Sequence, residues 1–70
     1  MTEIKSPTAG SVWKILVKIG DQVSEGDELL ILELMKMEIG VEAPHSGTVA
    51  SIAVDEGAVV AESDLLLTLD

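Results

Sequence analysis

No cysteine occurs among the 70 residues, which excludes a disulfide staple and any thiolate metal site. Arginine is absent too, and four lysines face thirteen carboxylates for a net charge of −9. Nucleic acid as a partner is thereby disfavoured, because phosphates are held by clustered basic side chains. His45 is the only histidine, which removes most zinc sites and histidine-based catalytic arrangements. The longest unbroken aliphatic runs, Leu29 to Leu32 and Ala58 to Ala61, are four residues each. A membrane span needs about 20. No apolar signal core precedes or follows Glu3, so the expected setting is cytoplasmic. With no nucleophile–base pair and no metal cluster, a self-contained active site is not expected.

What remains is aliphatic. Apolar residues make up 47% of the chain, and Trp13 is the single aromatic. A core of Val, Ile, Leu and Ala suits the pleated surface of a sheet. The length allows one domain, residues 1–70, of the size that buries about 60% of its unfolded surface.

An internal repeat sets the architecture. A shift of 37 positions lays residues 6–33 over 43–70 without a gap, and 12 of the 28 pairs are identical. They include Pro7/Pro44, Gly10/Gly47, Val12/Val49, Gly20/Gly57, Val23/Val60, Asp27/Asp64 and three leucine pairs, Leu29/Leu66, Leu30/Leu67 and Leu32/Leu69. Chance supplies roughly two or three in a composition of this kind. Ser11 to Ile19 reads as a strand with Trp13, Ile15, Val17 and Ile19 on one face, and Thr48 to Val54 as its copy. Leu29 to Glu33 and Leu65 to Asp70 form a second matched pair of strands. Gly20 to Asp27 and Gly57 to Asp64 read as turn-rich connections. Extended backwards, the offset defines two units, 1–33 and 38–70, which pack face to face about a pseudo-twofold axis as a small sandwich or flattened barrel.

Four residues have no counterpart: Leu34-Met35-Lys36-Met37. They join the last strand of one unit to the first strand of the next, as a tight hairpin if those strands are antiparallel neighbours. By the same symmetry the two chain termini meet. Two-residue hairpin turns favour Asn-Gly or Asp-Gly, because positive φ is required. Met35-Lys36 has no such advantage, and local rules are broken most often where function requires it. The plain reading is an ordinary turn lysine with Met35 and Met37 as inward core filler. The functional reading is that Lys36 is displayed for modification. Lysine amines titrate at about 10.4 and react as nucleophiles only when neutral. A modifying enzyme must therefore surround the amine and take its proton, which a protruding side chain permits.

Glu33-Leu34-Met35-Lys36-Met37 resembles the Glu-Ala-Met-Lys-Met signature of the biotinyl domains, the biotin carboxyl carrier proteins. Val17-Lys18-Ile19-Gly20-Asp21-Gln22-Val23 and Glu25-Gly26-Asp27 look like the first half of that family's pattern. Ala43-Pro44-His45-Ser46-Gly47-Thr48-Val49 and Glu56-Gly57 look like its second half. The resemblance implies an all-β flattened barrel of two four-stranded antiparallel sheets with Lys36 on an exposed hairpin turn. It implies covalent biotin on Lys36, attached by a biotin protein ligase that recognises Glu33, Leu34, Met35 and Met37. It also implies a non-catalytic carrier that takes a carboxyl group from biotin carboxylase to a carboxyltransferase, as in acetyl-CoA carboxylase and fatty acid biosynthesis. Leu34 departs from the family's usual small residue, adding bulk beside the lysine. Trp13 runs directly on to Val17, so the inserted thumb loop of some bacterial carriers is missing. A lipoyl carrier, with lipoate on the same lysine, and an unmodified module whose hairpin docks into a partner are the two other readings that the residues leave open.

Other side chains are expected to be structural. His45 reads as a solvated turn residue and Trp13 as half-buried core opposite the smaller Ala50 in the repeat. Asp21, Asp27, Asp55 and Asp64 read as turn formers before metal ligands.

Overall fold

The computed structural model describes all 70 residues and contains eight strands and no helix. They are β1 (Thr2–Lys5), β2 (Gly10–Ile15), β3 (Gln22–Val23), β4 (Glu28–Leu34), β5 (Met37–Glu42), β6 (Gly47–Ile52), β7 (Val59–Val60) and β8 (Leu65–Leu69). Two four-stranded sheets form, in the orders β1-β8-β6-β3 and β5-β4-β2-β7, and every neighbouring pair is antiparallel. This is the expected flattened sandwich.

The repeat is written into the register. Val12 lies opposite Leu32 and Val49 opposite Leu69. Ile39 faces Leu32 as Thr2 faces Leu69, and Gly10 faces Val60 as Gly47 faces Val23. The termini do meet, as the Thr2–Leu69 pair requires. One expectation is corrected: the two units are not one sheet each. Each sheet takes its two central strands from one unit and its two edge strands from the other. A unit alone would leave its leucine-rich strands without flanking strands, and the exchange supplies them.

The face assigned to Ser11–Ile19 also needs correction. Pairing slips by one residue between Val12 and Lys14, so Trp13 is the extra residue of a β-bulge. The bulge inverts the alternation, because a one-residue slip turns every following side chain to the other face. Val12, not Trp13, is the buried member, and Trp13 is 44% exposed with the Lys14 ammonium 5.8 Å from its ring centre. Trp13 is therefore a surface residue rather than core filler. Ile15 and Val17 still pack against the core, whereas Ile19 is exposed. The copy bulges at the same place, between Val49 and Ser51, with Ile52 and Val54 against the core. A second bulge pair places both Leu29 and Leu30, and both Leu66 and Leu67, in the interior.

Fifteen residues are buried, and fourteen of them form seven repeat pairs: Ile4/Val41, Ser6/Ala43, Val12/Val49, Val23/Val60, Leu29/Leu66, Leu30/Leu67 and Leu32/Leu69. Thr68 is the fifteenth, and its hydroxyl meets that of Ser51 at 2.7 Å. Within the connections, the Asp27 and Asp64 carboxylates accept from the Ser24 and Ala61 amides at 2.9 and 2.8 Å, closing equivalent turns. Asp21 does the same for the Lys18 amide at 2.9 Å. Asp55 serves its turn through its backbone carbonyl, which accepts from the Ala58 amide. The turn-rich connecting segments also contain β3 and β7, two residues each, at the sheet edges, with Val23 and Val60 buried.

Candidate functional site

The β4–β5 hairpin carries the four unrepeated residues. Its register runs from Glu28 opposite Glu42 to Leu34 opposite Met37, leaving Met35 and Lys36 as a two-residue turn. Alternation divides the hairpin into two faces. Leu32 is fully buried and Ile39 opposite it packs on the core, while Glu33 and Glu38, the next pair, both face solvent. Strand pairing continues through Glu33, opposite Ser11 on β2, to Leu34 opposite Met37, so it is the turn of Met35 and Lys36 that projects beyond the sheet.

Turn chemistry at the tip departs from what the sequence favours. Met35 has φ 53° and Lys36 φ 66°, the pair of positive values that a type I′ hairpin turn needs. Each non-glycine residue in that region is disfavoured by about 1–2 kcal/mol. The hairpin holds them there because the strand pairs on either side fix the connection at two residues. Met35 is 85% exposed and Met37 59%, so neither is core filler, and the plain reading of the two methionines fails. Lys36 is exposed between them, and the only ion pair in the chain joins Lys5 to Glu3 elsewhere.

The remaining site residues fall close by. Leu34 is half-buried at the base of the turn. Gly10, on β2, lies beneath it: a Cβ there would sit 2.8 Å from the Glu33 carbonyl oxygen and 3.7 Å from Leu34 Cβ. Gly10 is thus a strand glycine that lets β2 approach the hairpin. Its repeat mate Gly47 lies closer still, 2.5 Å by the same measure, to the Asp70 carbonyl oxygen. Glu38 was not anticipated as part of the site. It lies opposite Glu33, so two carboxylates flank the foot of the turn. The signal for it was the hairpin register, which becomes readable only once Leu34 is paired with Met37.

His45 is more engaged than a solvated turn residue. Its Nε2 meets the Thr2 hydroxyl and its Nδ1 the Ser46 carbonyl, both at 2.7 Å, tying the start of β1 to the turn before β6. The carboxylates and the histidine nowhere gather in a group of three that could hold a metal ion.

A rigid all-β scaffold that projects one unpaired primary amine from a hairpin is the architecture of a group-carrier domain. Residues 2–69 match the biotin/lipoyl family model described as "Biotin-requiring enzyme", and the chain belongs to that family. It is 51% identical over 61 residues to the biotin/lipoyl attachment protein of Bacillus subtilis, covering 87% of this chain and 84% of that one. Over 44 residues it is 48% identical to the biotin carboxyl carrier protein of acetyl-CoA carboxylase from Solanum lycopersicum, covering 63% of each chain. The crystal structure of the Kluyveromyces lactis urea carboxylase contains the same fold, with a TM-score of 0.91 and 35% identity. The match takes in 97% of this chain and 6% of that enzyme.

A cofactor carrying a carboxylic acid fits the tip. Lys36 offers a primary amine that can form a stable amide, and that amine is exposed and held in no ion pair.

Proposed function

We propose that the Lys36 amine is the covalent attachment point for biotin and that the domain is a non-catalytic carboxyl carrier. The observation that carries this reading is the placement of Lys36. It stands on the one stretch that the repeat does not duplicate, at a free hairpin tip, in a chain of the biotin-requiring family.

The chain's own groups have a short list of tasks. The Lys36 amine must be deprotonated, attack an activated biotinyl carbonyl carbon, and expel the leaving group as the amide forms. Met35 and Met37 present apolar flanks that a biotin protein ligase can enclose, with Leu34 and Glu33 as further contacts. Bound biotin supplies a ureido nitrogen able to accept and give up a carboxyl group. The scaffold supplies reach and rigidity, so that a cofactor on a flexible arm is held at high local concentration near two active sites in turn. Biotin carboxylase and a carboxyltransferase are the partners of this reading, as in acetyl-CoA carboxylase or a related biotin-dependent carboxylase, in a cytoplasmic setting. Lipoate on Lys36 is less favoured, because Met37 stands where lipoyl domains usually place alanine.

The test is the intact mass after incubation with biotin, ATP and a biotin protein ligase. A gain of one biotinyl group is expected in the parent and none in Lys36→Arg, with both proteins equally folded by circular dichroism. Biotin elsewhere in the chain, or none in either protein, would refute the assignment.

A further inference from the structure

We propose that Met35 and Met37 form a reversible oxidation site that governs whether Lys36 can be modified, an inference that rests on the role of Lys36 given above. Three observations carry it. Both thioethers flank the amine and are open to solvent, Met35 at 85% and Met37 at 59%. The positive φ of Met35 and Lys36 fixes the turn, so the strand pairing that holds the hairpin also holds Met35 outside the core. The third methionine, Met1, is 86% exposed at the paired termini, and the buried apolar core contains only Leu, Val, Ile and Ala. No methionine lies in the buried core, so oxidation of all three leaves the core packing untouched and its effects stay local to each site.

The chemistry closes with a hydroperoxide as oxidant. The thioether sulfur attacks one peroxide oxygen, the O–O bond breaks, a sulfoxide forms, and the peroxide is reduced to water or an alcohol. Methionine sulfoxide reductases reverse the step at the expense of two thiols, which become a disulfide, with release of water. The product is a strong hydrogen-bond acceptor where an apolar flank had been. An enzyme that encloses the tip against an apolar wall must then desolvate that group without a donor, which slows modification roughly tenfold or more. Acidic neighbours do not relieve this, because Glu33 and Glu38 offer acceptors and no donors when ionised.

The experiment treats the apo protein with hydrogen peroxide, removes the oxidant with catalase, and maps the oxygens gained by peptide mass spectrometry. The initial rate of biotin transfer by a biotin protein ligase is then measured. The expected result is a fall of about tenfold or more, with circular dichroism and melting temperature unchanged. Treatment with methionine sulfoxide reductases A and B should restore the rate. With both replaced, Met35→Leu together with Met37→Leu, treated and untreated protein should accept biotin at the same rate, and a fall that persists would overturn the proposal. An oxidised Met35 and Met37 with an unchanged rate would overturn the proposal. So would a loss that the reductases fail to reverse, or one that accompanies unfolding. An untreated parent that accepts no biotin would overturn the carrier reading and this inference together, whereas acceptance regardless of oxidation removes only the inference.

Discussion

The hairpin tip and the paired termini occupy equivalent places in the two halves of the molecule, and they are built differently. At both, a glycine on a central strand approaches the backbone of its neighbour, Gly10 beneath Glu33 and Gly47 beneath Asp70. At both, a leucine is the last buried residue of a strand, Leu32 in one and Leu69 in the other. At one of them the chain crosses over through Met35 and Lys36, and at the other it begins and ends. The fold needs the shared parts. The crossing residues are unmatched, exposed and conformationally disfavoured, which marks them as chosen for something other than stability.

The largest effects should fall on the shared parts. Leu32→Ala and Leu69→Ala should each lower unfolding free energy by about 2–5 kcal/mol in urea denaturation. The two values should agree within about 1 kcal/mol if the halves are energetically equivalent. Gly10→Ala and Gly47→Ala come next, at about 1–3 kcal/mol, because the added methyl meets backbone that must shift. Gly10→Ala should also reduce biotin acceptance, since it displaces the hairpin, and Gly47→Ala should not. Replacing the crossing itself should do the reverse: Met35→Asn with Lys36→Gly should raise stability by about 1–2 kcal/mol while abolishing acceptance. A stability unchanged by that double substitution would mean that the turn stores no strain. The smallest effect belongs to Ser63, which has φ 71° where its repeat mate Gly26 has φ 89°. Ser63→Gly should raise the thermal midpoint slightly, by less than about 1 kcal/mol in free energy.

Much of this was legible in the sequence, for a physical reason. A shared offset of 37 made each buried pair visible twice, so the leucine and valine pairs of the core stood out, and so did the four residues left over. Bulges hid the rest. Trp13 and Ala50 each add one residue to a strand, and no periodicity survives such an addition. Strand partners were hidden as well, because two similar halves say nothing about which half lends an edge to which sheet. β3 and β7, two residues each, are too short to show alternation. Lys36 stood out because it lies outside the repeat, and the place of Glu38 opposite Glu33 did not, because Glu38 belongs to the weakly matched start of the second unit.

The exchange of edge strands has a consequence for how the chain can be divided. Cut between Met35 and Lys36, the molecule would become two peptides, neither able to cover its own leucine strands and each holding the strands that the other lacks. Mixed in equal amounts, they should find each other and close the same two sheets, a complementation that circular dichroism and analytical ultracentrifugation would register. The hairpin would then be the only covalent link lost, so the residue proposed to carry the cargo would also mark the seam along which the protein can be taken apart and put back together.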